Sequence, residues 1–246
     1  MTRRRFIADT WTASTASLTG DQAVHLARIL RAQPGQIYDI VSNGFLHRAE
    51  ITRVSEKQVD FTLYEELSSD AALPLHLLLA VFKFDHMEWA IEKATELGIA
   101  RITPILARRT EKHLAQSAPK RAERWRRIAL EASKQSRRTT IPEIPDPTHL
   151  KPALQQEATT PTRILLSETE QATTLFAALQ SAAKAAASEP ATHNTAIAIG
   201  PEGGWTPEEM ALFTQHQWQP VTLGPRILRA ETAAIAAIAI ASTHLT

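Results

Sequence analysis

Residues 199–209 read IGPEGGWTPEE, and this stretch decides the fold. It is preceded by the apolar strand candidate Ala196–Ile199. Gly200, Gly203 and Gly204 then allow a tight turn and a close approach of the backbone to a ligand. Thr206 is placed to cap a following helix, Pro207 suits its first position, and Glu209 completes a capping box. Strand, glycine turn and helix in succession form the unit of an open α/β sheet, whose ligands bind beyond the carboxyl ends of the strands. Taken alone, the turn reads equally well as a connection with no ligand. Glu202, between Pro201 and Gly203, adds nothing to a core; it is either solvated or turned toward a ligand. The stretch is neither GxGxxG nor GxxxxGK[ST], so dinucleotide and phosphate-loop readings lack their fingerprints.

The same alternation continues on both sides. Upstream, Leu75–Phe82 is a continuous apolar run suited to a strand buried on both faces. A helix is expected over Asp85–Leu97, with Asp85 and Glu88 as a capping box, Phe84 and Trp89 as a hydrophobic staple, and Gly98 at its end. A strand within Ile99–Leu106 follows, then an amphipathic helix over 119–136 with Trp125, Ile128, Ala129 and Ala132 on one face. Further on come a strand at Arg163–Ser167, a helix over about 171–187, a helix from Pro207 to about Gln217, a strand at Val221–Leu223 and a last helix from about Glu231. This order predicts an α/β fold with a mainly parallel sheet. Residues 1 to about 68 differ: they read as short strands, Gln36–Val41, Phe45–Val54 and Val59–Tyr64, with a hairpin at Ser42-Asn43-Gly44. One helix, about Gly20–Ala32, carries Val24, Ile29 and Leu30 as apolar positions and Asp21 as N-cap. Glu65–Leu73 reads as a linker after this small barrel-like module.

A second stretch, LGPRILRAETAAIAAIAIA at 223–241, places Gly224 and Pro225 in a turn after a strand. Arg229 and Glu231 then open an almost wholly apolar helix, which must be central or packed on another subunit. The two charged residues either pair or cap that helix, or belong to an active site.

Composition narrows the function classes. The 246 residues include no cysteine, which excludes disulfides, thiolate metal sites and a Cys nucleophile. Nine scattered histidines without HExxH give no reason to expect a metal. The basic N-terminus is not followed by a signal-type apolar region, and Ala233–Ala241, the longest apolar stretch, is too short to span a bilayer. A cytoplasmic protein without a membrane partner is expected. The net charge of +1 conceals an uneven distribution: residues 101–138 hold twelve basic and three acidic side chains, whereas 32–100 hold five and eleven. A basic block of that density favours a polyanionic partner, with a solvated helix face as the alternative.

The segments KFDHMEWAIEKATELGIARITP (83–104), RWRRIALEASKQSRRTTIPEI (124–144), IGPEGGW (199–205) and LGPRILRAETA (223–233) together resemble the RsmE-type small-subunit rRNA uridine N3-methyltransferases of the SPOUT superfamily. RRRFI and HLARILRAQPGQ (25–36) also fit, so the resemblance covers nearly the whole chain. Two positions depart from the pattern: Ile7 replaces a second aromatic after Phe6, and Arg137 stands where a small residue is common. The resemblance implies a PUA-like β-barrel RNA-binding domain over 1–70 and, over 71–246, a SPOUT-type trefoil-knotted α/β domain with a mainly parallel sheet. It implies S-adenosylmethionine (SAM) as cofactor, 16S rRNA or the small ribosomal subunit as partner, and a homodimer. Carried over, the cofactor loops are Leu166-Ser167-Glu168, Gly200 with Gly203 and Gly204, and Leu223, Gly224, Ile227, Leu228 and Arg229. Arg229, Glu231 and Glu202 are the catalytic candidates. Arg3, Arg4, Arg5, Arg28, Arg31, Arg108, Arg109, Arg137 and Arg138 are the candidates for RNA phosphate contact. A SPOUT ribose 2′-O-methyltransferase and a non-catalytic rRNA-binding or ribosome-assembly protein are the alternatives.

Overall fold

Alternation of apolar residues builds the first part of the chain. The computed structural model describes residues 5–69, 71–186 and 194–245, and the chain divides into two units, Met1–Ala71 with Ser133–Thr140 and Ala72–Ala132 with Ile141–Thr246. In the first unit, strands β1 (Arg5–Ile7), β2 (Thr10–Trp11), β3 (Thr15–Thr19), β4 (Ile37–Ser42), β5 (Phe45–Val54) and β6 (Gln58–Leu67) form one mixed sheet in the order β1-β4-β5-β6-β3-β2. Val59, Phe61 and Leu63 face inward as their period of two requires, joining Leu18, Leu26, Ile40 and Ile51 in the core. Asn43 and Gly44, at φ +50° and +82°, make the two-residue hairpin turn that their sequence announced.

The helix of this unit differs from expectation. Helix α1 (Gly20–Val24) passes directly into a π-helical stretch, His25–Ile29. Thr19, not Asp21, is the N-cap residue. The wider turn shifts the buried face to Ala23 and Leu26, leaving Val24 and Ile29 exposed. β6 also runs to Leu67, so the expected linker contributes three residues to a strand.

The second unit is a sheet with every neighbouring pair parallel: β7 (Leu73–Ala80), β8 (Ile99–Leu106), β9 (Thr148–His149), β10 (Thr162–Leu166), β11 (Thr195–Ile199) and β12 (Gln219–Val221), ordered β12-β10-β11-β7-β8-β9. Its helices are α2 (Phe84–Glu96), α3 (Lys112–Gln135), α4 (Leu150–Gln156), α5 (Leu175–Ala186), α6 (Pro207–Gln215) and α7 (Ala230–Leu245). The sheet is covered on both faces: Leu75, Leu77 and Leu79 join one apolar cluster with α2, α3 and α7, while Leu78 joins another with Phe213 and Trp218. This explains the unbroken apolar run of β7.

Three local expectations fail for identifiable reasons. Lys83, not Asp85, precedes α2, without a side-chain cap. Glu88 is held instead by Arg124 in a bidentate pair at 2.6 and 2.7 Å, a stronger interaction than a capping bond. Trp89 is 47% exposed, and Phe84 packs on Trp125 rather than forming a staple. Helix α3 begins at Lys112 and continues through Pro119, because Leu114, Ala118 and Ala122 extend the apolar stripe of Trp125 and Ala129 by two turns. β9 and α4 had no counterpart in the sequence reading. No helix among the described residues is long and apolar enough to cross a membrane.

Candidate active site

Parallel pairing sets the site. β12, β10 and β11 are neighbours pointing the same way, with Leu166 opposite Val221 and Leu165 opposite Ala198. The segments after Leu166, Ile199 and Val221 therefore leave the sheet side by side at its carboxyl edge, where α/β sheets bind ligands. These three segments contain the cofactor-loop residues singled out above, except Leu166, which ends β10.

Each loop is held by short local bonds. After β10, the Ser167 amide donates to the Val221 carbonyl at 3.0 Å, and the Ser167 and Thr169 hydroxyls lie 2.9 Å apart, while Glu168 is exposed. After β11, the Gly204 amide closes a turn on the Pro201 carbonyl at 2.8 Å, with Glu202 exposed at its tip. A Cβ on Gly200 would lie 3.0 Å from the Trp205 indole nitrogen, so a larger residue would push the ring back by a few tenths of an ångström. Trp205 in turn packs edge-on against Phe213 at 5.0 Å. The α6 capping box forms as expected: Thr206 and Glu209 exchange bonds of 2.9 and 3.3 Å. After β12, the strand ends at Val221 rather than Leu223, because the Thr222 hydroxyl turns back to the Gly224 amide and carbonyl, both at 3.1 Å. Gly224 has φ +118° and open space where a Cβ would point. Ile227 is 81% exposed, an apolar side chain without cover, while Leu223 and Leu228 are half-buried.

The carboxylates and cations separate into two environments. Arg229 is exposed, and its guanidinium has no carboxylate partner among the described residues. Glu231, two residues on, is only 4% exposed, and its Oε1 lies 3.2 Å from His86 Nδ1 on α2. Its Oε2 is buried and without a hydrogen-bond partner among the described residues. Arg229 and Glu231 thus do not pair with each other.

The loop between β8 and α3 is bound to the glycine turn. Arg109 donates to the Gly203 carbonyl at 2.7 Å, and the Arg108 amide donates to Glu209 at 2.8 Å. Arg109, expected to contact phosphate, therefore has a structural bond to the site. Sequence reasoning missed His86, Thr222 and Trp205. A tryptophan following the glycine turn was a visible signal for the last; nothing in the sequence links His86 to Glu231.

The remaining arginine candidates are spread over both units. Arg5 donates to the Arg137 carbonyl, and Arg28 pairs with Glu56 at 3.1 Å. Arg31 and Arg137 are exposed at φ +50° and +61°. Arg138 is half-buried, and burial lowers its pKa to about 10. Arg3 and Arg4 lie outside the described residues. Within the basic block, Arg121 and Arg124 pair with Glu88 and Arg126 with Asp146, so part of that charge is neutralised by the fold.

Comparison with known proteins agrees with this arrangement. Residues 69–242 match the RNA methyltransferase domain model, and residues 18–64 match the RNA methyltransferase PUA domain. The ribosomal RNA small subunit methyltransferase E of Bacillus subtilis is 32% identical over 237 residues, covering 94% of this chain and 90% of that protein. The crystal structure of the Neisseria gonorrhoeae methyltransferase E bound to S-adenosyl methionine superposes with a TM-score of 0.79 at 27% identity, covering 98% of both chains. A methyltransferase from Legionella pneumophila, solved with bound SAM, gives 0.78 at 28% identity over 99% of this chain and 98% of that one. With its PUA-type module followed by an RNA methyltransferase domain, the chain belongs to the ribosomal RNA small subunit methyltransferase E family.

Proposed function

We propose that this protein methylates N3 of a specific uridine in 16S rRNA, using S-adenosylmethionine. The observation that carries the reading is the emergence of three loops side by side from β10, β11 and β12, in a chain of this family. The residues present fit the cofactor. Open space at Gly224 lets a ligand approach the backbone, and Leu166, Leu223 and Leu228 offer a half-buried apolar wall for an adenine. When bound, the cofactor supplies an electrophilic methyl group on a sulfonium.

Uracil N3 carries a proton and is a poor nucleophile until that proton leaves. Glu202, exposed at the tip of its turn, is a carboxylate placed to accept it. Arg229, exposed and without a carboxylate partner among the described residues, stabilises the negative charge that then spreads onto the uracil oxygens. Glu231 acts at one remove: buried in the first turn of α7 beside His86, it sets the approach of Arg229. Arg31, Arg108 and Arg137, exposed in the structure, serve as phosphate contacts. Two identical subunits, each with a trefoil-knotted C-terminal region, would cover the exposed Ile227. An rRNA substrate places the work in the cytoplasm.

The test is nucleoside mass spectrometry of 16S rRNA from cells lacking the gene. Loss of 3-methyluridine, restored by the wild-type chain, is expected. Loss of a 2′-O-methylated nucleoside instead would mark a ribose methyltransferase, and an unchanged profile with no calorimetric SAM binding would mark a non-catalytic RNA-binding protein.

A further inference from the structure

A cavity of about 420 Å³ opens in the first unit between the turn after β2 and the β4–β5 hairpin. Its walls include Trp11, Ser42, Asn43, Phe45, His47 and Leu63. Three features require explanation. Trp11 and Phe45 are 49% and 50% exposed, and neither ring is paired with another aromatic among the described residues. His47 Nδ1 is buried and has no hydrogen-bond partner among the described residues. The lining contains no carboxylate, guanidinium or ammonium group.

We propose that this cavity takes one unstacked nucleobase of the RNA substrate, stacked on Trp11 or Phe45 with its hydrogen-bonding edge toward His47, Ser42 and Asn43. A planar, edge-polar ligand answers all three features. Its π-face covers aromatic surface otherwise open to water, and its edge supplies the partner that His47 Nδ1 lacks. A phosphate would meet no cation there, and an aliphatic group would leave the imidazole unsatisfied. Sequence-selective RNA recognition works mainly on splayed-out bases of single-stranded segments, stacked on aromatic side chains and read at their edges. None of the lining residues comes from the three methyl-transfer loops. The proposal rests on RNA being the substrate.

The experiment measures binding of a fluorescently labelled single-stranded RNA 12-mer, and of an abasic ribose-phosphate oligomer of equal length, by anisotropy across a salt series. For Trp11→Ala combined with Phe45→Ala, the Kd for RNA is expected to rise about tenfold or more, the loss typical of one stacked base. The slope of log Kd against log salt should stay unchanged, because no phosphate contact is removed. SAM affinity should match the wild type, and the conservative Trp11→Phe variant should retain RNA binding. The abasic oligomer should bind both chains alike. Equal RNA affinity for wild type and double variant, or an equal loss with the abasic oligomer, overturns the cavity proposal while leaving methyl transfer intact. Absence of RNA binding by the wild-type chain overturns this proposal and the functional reading together.

Discussion

At the scale of single residues, the proposed site sets an exposed cation two positions from a buried anion, and the two lie in different environments. Arg229 is exposed with no carboxylate partner among the described residues, whereas Glu231 is buried beside His86. The two changes should therefore read differently. Replacing Arg229 with alanine is expected to lower kcat by about 10²–10³, the loss typical of removing one group that stabilises developing negative charge. SAM affinity measured by calorimetry should be nearly unchanged, and an equal drop in both would assign Arg229 to cofactor binding. The sequence singled out these residues but not their different surroundings, because Glu231 lies against His86 of α2, about 145 residues earlier in the chain. Glu202 was legible for the opposite reason: proline and glycine on either side leave its carboxylate nothing to pack against.

At the scale of elements, local signals succeeded where the interacting groups are close in sequence. The Thr206–Glu209 capping box and the Asn43-Gly44 turn both formed as read, since each is decided within four residues. The α2 capping box failed because a distant arginine claimed Glu88. The connection from α4 also went unread, and it carries an acid-sensitive contact. Glu157 follows α4 in a buried position. Burial alone would raise its carboxyl pKa, but hydrogen bonds with His76 on β7 at 3.2 Å and from Thr160 at 2.6 Å bring it below the usual value of 4.5. A depressed carboxyl contributes stability that is complete above the unfolded pKa and is lost as pH falls through the folded one. Thermal melts of the wild type should therefore decline below about pH 4.5 more steeply than those of Glu157→Gln, which starts lower at neutral pH. Parallel melting curves for the two proteins would remove this contact from the acid response.

At the scale of the whole molecule, the distribution of charge matters more than the net value of +1. The basic block at 101–138 promised a polyanion surface, and the structure divides it. Arg121, Arg124 and Arg126 are engaged with Glu88 and Asp146, and Arg109 with Gly203, while Arg108 and Arg127 remain exposed. Charge counting overestimates the phosphate contacts for this reason. RNA affinity should still fall steeply with salt, and Arg108→Ala should reduce the log–log slope by about one. A variant with the wild-type slope would exclude Arg108 from phosphate contact.

The assignment of Ser133–Thr140 to the first unit has a consequence for how the protein is made. The N-terminal sheet uses nothing beyond Leu67, yet the Arg5 guanidinium meets the carbonyl of Arg137, and Thr139 is buried. During synthesis, which adds about 5–20 residues per second, the N-terminal module can form its strands early but must wait for its last segment. By then β7, α2, β8 and most of α3 have already emerged. The two units are thus completed in overlapping order rather than one after the other. A fragment cut at residue 71 would be a module deprived of its own final piece.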